Sequence, residues 1–121
     1  MEFEFKKLNK SVESRKSQCI KIKNQFTDKV PVICERDPKS NLPDLDKHKY
    51  IVPNDLTVEQ FILMIKRRMD MGPFPIDQLY LIVNEKDFIS GDILMSEIYN
   101  KYKNYQDDLL YIRYSDNNKW L

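Results

Sequence analysis

Glycine is nearly absent from this chain: only Gly72 and Gly91 occur in 121 residues. Glycine-rich phosphate cradles need several positions where only a residue without Cβ fits, so both dinucleotide fingerprints and P-loops are excluded. Histidine is scarcer still, with His48 alone, which rules out metal sites built on two or three imidazoles. The two cysteines, Cys19 and Cys34, make no disulfide framework and no CxxC pair, so neither a zinc nor a redox motif is expected and a reducing compartment is. No stretch approaches the roughly 20 apolar residues of a membrane span. The N-terminal Met1-Glu2-Phe3-Glu4-Phe5-Lys6-Lys7 lacks the apolar core of a signal peptide. A formal charge of +1 gives no general pull toward nucleic acid. No aromatic residues interleave with the basic ones on a strand face, and no nucleic-acid partner is expected.

What is present suits one folded domain, since 41% of residues are hydrophobic and 12% aromatic. The near-neutral total conceals an asymmetry. Residues 1–25 carry seven Lys/Arg against three acids, net +4; residues 84–108 carry six acids against three lysines, net −3. Ser11 is placed to cap a helix through Val12, Cys19 and Ile22 to about Asn24, with an apolar side so narrow that it must rest on another layer. Lys29–Glu35 reads as a strand with apolar residues on both faces, and Lys49–Pro53 as the next. Pro53 cannot donate to a ladder and marks a strand end or an edge.

Thr57-Val58-Glu59-Gln60 is a capping box opening a helix to about Met69, with Val58, Phe61, Ile62, Ile65 and Met69 on one face. Met71-Gly72-Pro73-Phe74-Pro75 ends it. Leu79–Val83 is a short buried strand. Ser90 or Asp92 is expected to cap a second amphipathic helix carrying Met95, Ile98, Tyr99 and Tyr102, and Leu109–Tyr114 is the last strand. The order β-β-α-β-α-β after residue 28 points to an α+β layer fold.

Catalytic chemistry is thin. The acids are scattered, apart from Asp107-Asp108 in an expected turn, and no catalytic residue, metal ligand or cofactor is assigned. A small thiol enzyme would have to pair Cys34 with His48 across a hairpin. The bland alternative makes Cys34 a buried core residue and His48 a turn residue.

One run is specific. Asp28-Lys29-Val30-Pro31-Val32-Ile33, followed by the stretch from Asp44 through Lys49-Tyr50-Ile51-Val52-Pro53 to Val58, closely resembles the autophagy ubiquitin-like modifiers of the GABA-receptor-associated-protein type. Leu110-Tyr111-Ile112-Arg113-Tyr114-Ser115-Asp116 resembles that family's last strand, and Arg15 and Ser17 also match. The resemblance implies a ubiquitin-like β-grasp core over residues 28–121 with two additional N-terminal helices in residues 1–27, all one compact, monomeric domain. It implies a cytoplasmic adaptor that captures aromatic-x-x-aliphatic linear motifs of autophagy receptors and assembly factors by strand addition, rather than an enzyme.

On the same resemblance, Ile22, Pro31, Ile33, Ile51 and Leu109 line a pocket for the motif's aromatic residue. Tyr50, Val52, Pro53, Leu56, Phe61 and Met64 line one for its aliphatic residue. Lys29, Lys47, Lys49 and Arg68 meet an acidic flank. Leu109 stands where the family commonly has Phe, and Gln18 replaces a common acidic residue beside the aromatic pocket. The basic N-terminus corresponds to a region implicated in microtubule and membrane contact.

The family's tail ends in an aromatic and then a glycine, which a processing protease exposes and conjugation enzymes join to phosphatidylethanolamine. Here Trp120 holds the aromatic position and Leu121 the conjugation position. Three readings stay open: a paralogue that is never lipidated, a chain altered or cut at its end, or a lipidated modifier on the autophagosomal membrane with a relaxed enzyme.

Overall fold

The computed structural model describes residues 2–69 and 78–116. The expected stop at residues 71–75 and the tail positions Trp120 and Leu121 lie outside the described residues. The elements are α1 (Glu4–Leu8), α2 (Val12–Gln25), β1 (Lys29–Arg36), β2 (Lys49–Pro53), α3 (Val58–Met69), β3 (Tyr80–Val83), β4 (Asp87–Ile89), α4 (Met95–Tyr102) and β5 (Leu110–Ser115). The five strands form one mixed sheet in the order β2-β1-β5-β3-β4. β1 runs antiparallel to β2 and parallel to β5, with Val32 opposite Leu110. This is a ubiquitin-like β-grasp, an α+β fold.

The β1 alternation explains why the sheet is covered on both sides. Val30, Val32 and Cys34 join Tyr50, Val52, Leu110, Ile112 and Tyr114 in the main core, under α3 and α4. Ile33 points the other way, into a second cluster with Phe5 of α1, Cys19 of α2 and Leu109. Phe61 and Ile65 of α3 are fully buried in the main core. Burying an apolar side chain of this size contributes about 1.5–3 kcal/mol.

Local signals position these layers. The Ser11 side chain accepts the Ser14 N–H at 3.0 Å and starts α2. The capping box closes in both directions: Gln60 Oε1 accepts the Thr57 N–H at 2.9 Å and Thr57 Oγ1 accepts the Gln60 N–H at 3.1 Å.

Two expectations are corrected. β4 is an additional strand, paired with β3 through Leu81–Ile89 and Val83–Asp87. α4 is capped by neither Ser90 nor Asp92; it begins after Leu94, which caps through no side-chain bond. Its first turn is tied to the α3 loop instead, where the Met95 N–H donates to the Leu56 carbonyl at 2.7 Å. Among the described residues no helix is long and apolar enough to cross a membrane.

Candidate functional site: the edge of β2

β2 lies at one end of the sheet and, among the described residues, pairs only with β1, which leaves its other side without a strand neighbour there. An edge strand presents unpaired backbone N–H and C=O groups that an extended peptide can use. Its five residues alternate in burial, Lys49, Ile51 and Pro53 exposed against Tyr50 and Val52 buried. The two sets face opposite sides of the sheet because successive strand side chains do.

On the α2 side Ile33 and Leu109, two of the five residues assigned to an aromatic pocket, share one buried cluster. Ile51 sits opposite Pro31 in the β1–β2 register. Ile33 and Leu109 are fully buried, Ile22 is buried on α2, and Ile51 is 37% exposed. A polar chain ties β2 to α2. The Lys49 ammonium donates to Gln18 Oε1 at 3.0 Å, and the Gln18 amide donates to Asn9 Oδ1 at 3.1 Å.

On the α3 side the second set divides. Tyr50, Val52 and Phe61 are core residues, with the Tyr50 and Phe61 rings edge-on at 6.5 Å. Leu56 and Met64 are half-buried against that core, and Pro53 is exposed. The accessible apolar surface here therefore comes from Leu56 and Met64, with the buried three beneath them, while Pro53 shares the Ile51 face by alternation.

The basic residues also divide. Lys47 and Arg68 converge over the Tyr50 ring, at 5.0 and 5.5 Å from its centroid. Arg68 also grips Asp46 with one guanidinium nitrogen 2.9 and 3.0 Å from the two carboxylate oxygens. The Arg68 hydrogen bond holds the exposed Asp46 carboxyl below its usual range. Burial pushes the Tyr50 phenol up to about 12. Lys29 stands apart: it pairs with Pro53 at the far end of β2, about 13 Å from Lys49 along the strand.

Two cavities, of about 610 and 350 Å³, lie on the α1 side of the sheet and include none of the residues assigned to the two pockets. A groove built on a strand edge is shallow, and here its floor is already filled by side chains. Cys34 and His48 do not form a nucleophilic pair. The Cys34 N–H donates to the His48 carbonyl at 2.9 Å, while the His48 imidazole faces Glu35, Nδ1 to Oε2 3.3 Å. Burial pushes the Cys34 thiol far above its ordinary range, the opposite of what an attacking thiolate needs. Among the described residues no group of three or more His, Cys, Asp or Glu is placed to hold a metal ion.

Two features went unread in the sequence. In the sequence Gln18 reads only as a replacement, whereas in the fold it links α2 to the edge strand through Lys49. Glu35 was not singled out, although it sits buried under α1.

Comparison with known proteins places this geometry. Residues 14–120 match the family described as autophagy protein Atg8, ubiquitin like. The chain is 39% identical over 108 residues to Autophagy-related protein 8 of Schizosaccharomyces pombe, covering 89% of this chain and 86% of that protein. It is 37% identical over 108 residues to Autophagy-related protein 8 of Mycosarcoma maydis, covering 89% and 88%. Its fold is similar to that in the crystal structure of Trypanosoma brucei ATG8, with a TM-score of 0.79, 34% identity and 87% of each chain covered.

Proposed function

The chain belongs to the Atg8 ubiquitin-like family of autophagy proteins, and on that premise we propose that it is a non-catalytic adaptor for aromatic-x-x-aliphatic motifs, captured by strand addition to β2. The observation that carries this reading is the alternation of β2. In an extended peptide, positions i and i+3 point to opposite faces. Ile51 offers apolar surface on the α2 face, while Leu56 and Met64 offer it on the α3 face of the same edge. A motif with that spacing reaches both.

Backbone pairing along β2 supplies affinity that does not depend on sequence. Lys47 and Lys49 favour acidic residues ahead of the aromatic, adding about 0.2–1 kcal/mol each and weakening with salt. The buried, protonated Cys34 supports a role without covalent chemistry. The reading places the protein in the cytoplasm and at forming autophagosomes, and it needs nothing from Leu121.

Fluorescence anisotropy with a labelled peptide of this type and an acidic N-terminal flank tests it. The expected Kd is about micromolar, and Ile51→Ala and Met64→Ala each weaken binding by roughly tenfold. Absence of binding, or binding indifferent to the double substitution, contradicts the proposal.

A further inference from the structure

Glu35 lies on the α1 face of β1 and is only 7% exposed. Both its carboxylate oxygens are used by one helix start, accepting the Glu4 N–H at 2.7 Å and the Phe5 N–H at 2.8 Å. The His48 Nδ1 stands 3.3 Å from Oε2. α1 has five residues, and Phe5 is the only one buried. A helix that short does not persist by itself. Its position is therefore set by what grips it.

Two routes lead from this grip to the edge of β2. The first is apolar: Phe5 packs in one cluster with Cys19, Ile33 and Leu109, and Ile33 and Leu109 are assigned to the proposed aromatic pocket. The second is polar. Asn9 caps the end of α1, its side-chain amide donating to the Phe5 carbonyl at 3.0 Å. Asn9 Oδ1 accepts from Gln18 at 3.1 Å, and Gln18 Oε1 accepts from Lys49 at 3.0 Å. One helix thus packs against Ile33 and Leu109 and is tied through Asn9 and Gln18 to Lys49.

We propose that Glu35 is a positioning residue for motif recognition: by capping α1 it seats Phe5 as the back wall of the aromatic pocket and holds the Asn9–Gln18–Lys49 relay across the opening. This rests on the adaptor reading. Because Ile33 and Leu109 have no free surface, an entering aromatic side chain reaches them only as they shift, and Phe5 behind them sets how far they give. Loss of the cap loosens that wall and lowers the contribution of the motif's aromatic residue. The aliphatic pocket belongs to the main core on the other face and is untouched.

The test uses the full chain with three peptides: the parent motif, its aromatic→Ala form and its aliphatic→Ala form. Glu35→Gln is expected to weaken the parent and the aliphatic→Ala peptide by about five- to tenfold, and the aromatic→Ala peptide by no more than about twofold. Glu35→Asp, which keeps the charge, restores most of the affinity. Phe5→Ala, which leaves the main core intact, reproduces the selective pattern. In amide NMR spectra Glu35→Gln moves the Glu4 and Phe5 resonances. Unmoved resonances, unchanged affinity, tighter binding, or an equal loss for all three peptides overturns the proposal while leaving the adaptor reading in place. No binding of the parent peptide to the unsubstituted chain overturns both.

Discussion

Arg15 and Asp107, 92 residues apart, form a buried ion pair of 2.9 Å with side chains 6% and 0% exposed. Arg15 also donates to the Asn9 and Lys10 carbonyls at 2.8 and 2.9 Å. Asp107 accepts the Tyr111 hydroxyl at 2.6 Å and the Leu109 N–H at 3.0 Å. One carboxylate therefore fixes α2 to the loop before β5 and holds the backbone of Leu109, a residue assigned to the proposed aromatic pocket. Removing one partner of a buried pair leaves the other charge uncompensated. Asp107→Ala is expected to lower the unfolding free energy by about 3–5 kcal/mol, read by urea denaturation; a loss below about 1 kcal/mol would show that the pair is not what holds α2. Asp107-Asp108 reads as a turn in the sequence, and a turn it is. Its partner could not be read, because an ion pair across 92 residues leaves no local spacing.

Elements with strong periodicity were the legible ones. α3 follows from its capping box and from apolar positions three and four apart, four of which are buried in the structure. α2 was readable at its start, through Ser11, and its need for a supporting layer followed from a stripe reduced to Cys19 and Ile22 beside Arg15. β4 was not readable: its three residues, Asp87-Phe88-Ile89, are too few to display a period of two. The cap of α4 was misread because tertiary bonds from the α3 loop replace the side-chain cap that Ser90 or Asp92 would provide. The turn joining β3 to β4 places Asn84 and Glu85 at φ of 53° and 64°. Asn tolerates the left-handed region, whereas Glu gains nothing there. Glu85→Gly gives the favoured Asn-Gly turn and is expected to stabilise the chain by about 0.5–1 kcal/mol, seen as a rise in Tm. A fall in Tm would mean the Glu85 side chain contributes more than its backbone costs.

Across the whole molecule, the two charged segments of the sequence meet. Basic α2 lies against the acidic 107–108 turn through Arg15–Asp107 and Lys16–Asp108, the latter at 3.9 Å. The asymmetry is thus partly spent inside the fold, while Lys47, Lys49 and Arg68 remain at the β2 edge. The sheet has two ends, but β4 is three residues long and β2 five. The longer end has apolar surface on both faces, Ile51 on one and Leu56 and Met64 on the other. Resemblance to a family supplied the residue set for this edge; only the folded chain separates its buried members from its exposed ones, because burial depends on what crosses over each strand. The central claim is that one extended peptide reaches both faces of β2 because its two anchors stand three residues apart. The most direct measurement compares anisotropy titrations of the parent peptide with a version lacking one of the two spacer residues. The shortened peptide points both anchors to one face and is expected to bind at least about tenfold more weakly than the micromolar parent. Equal affinity for the two peptides would contradict the account.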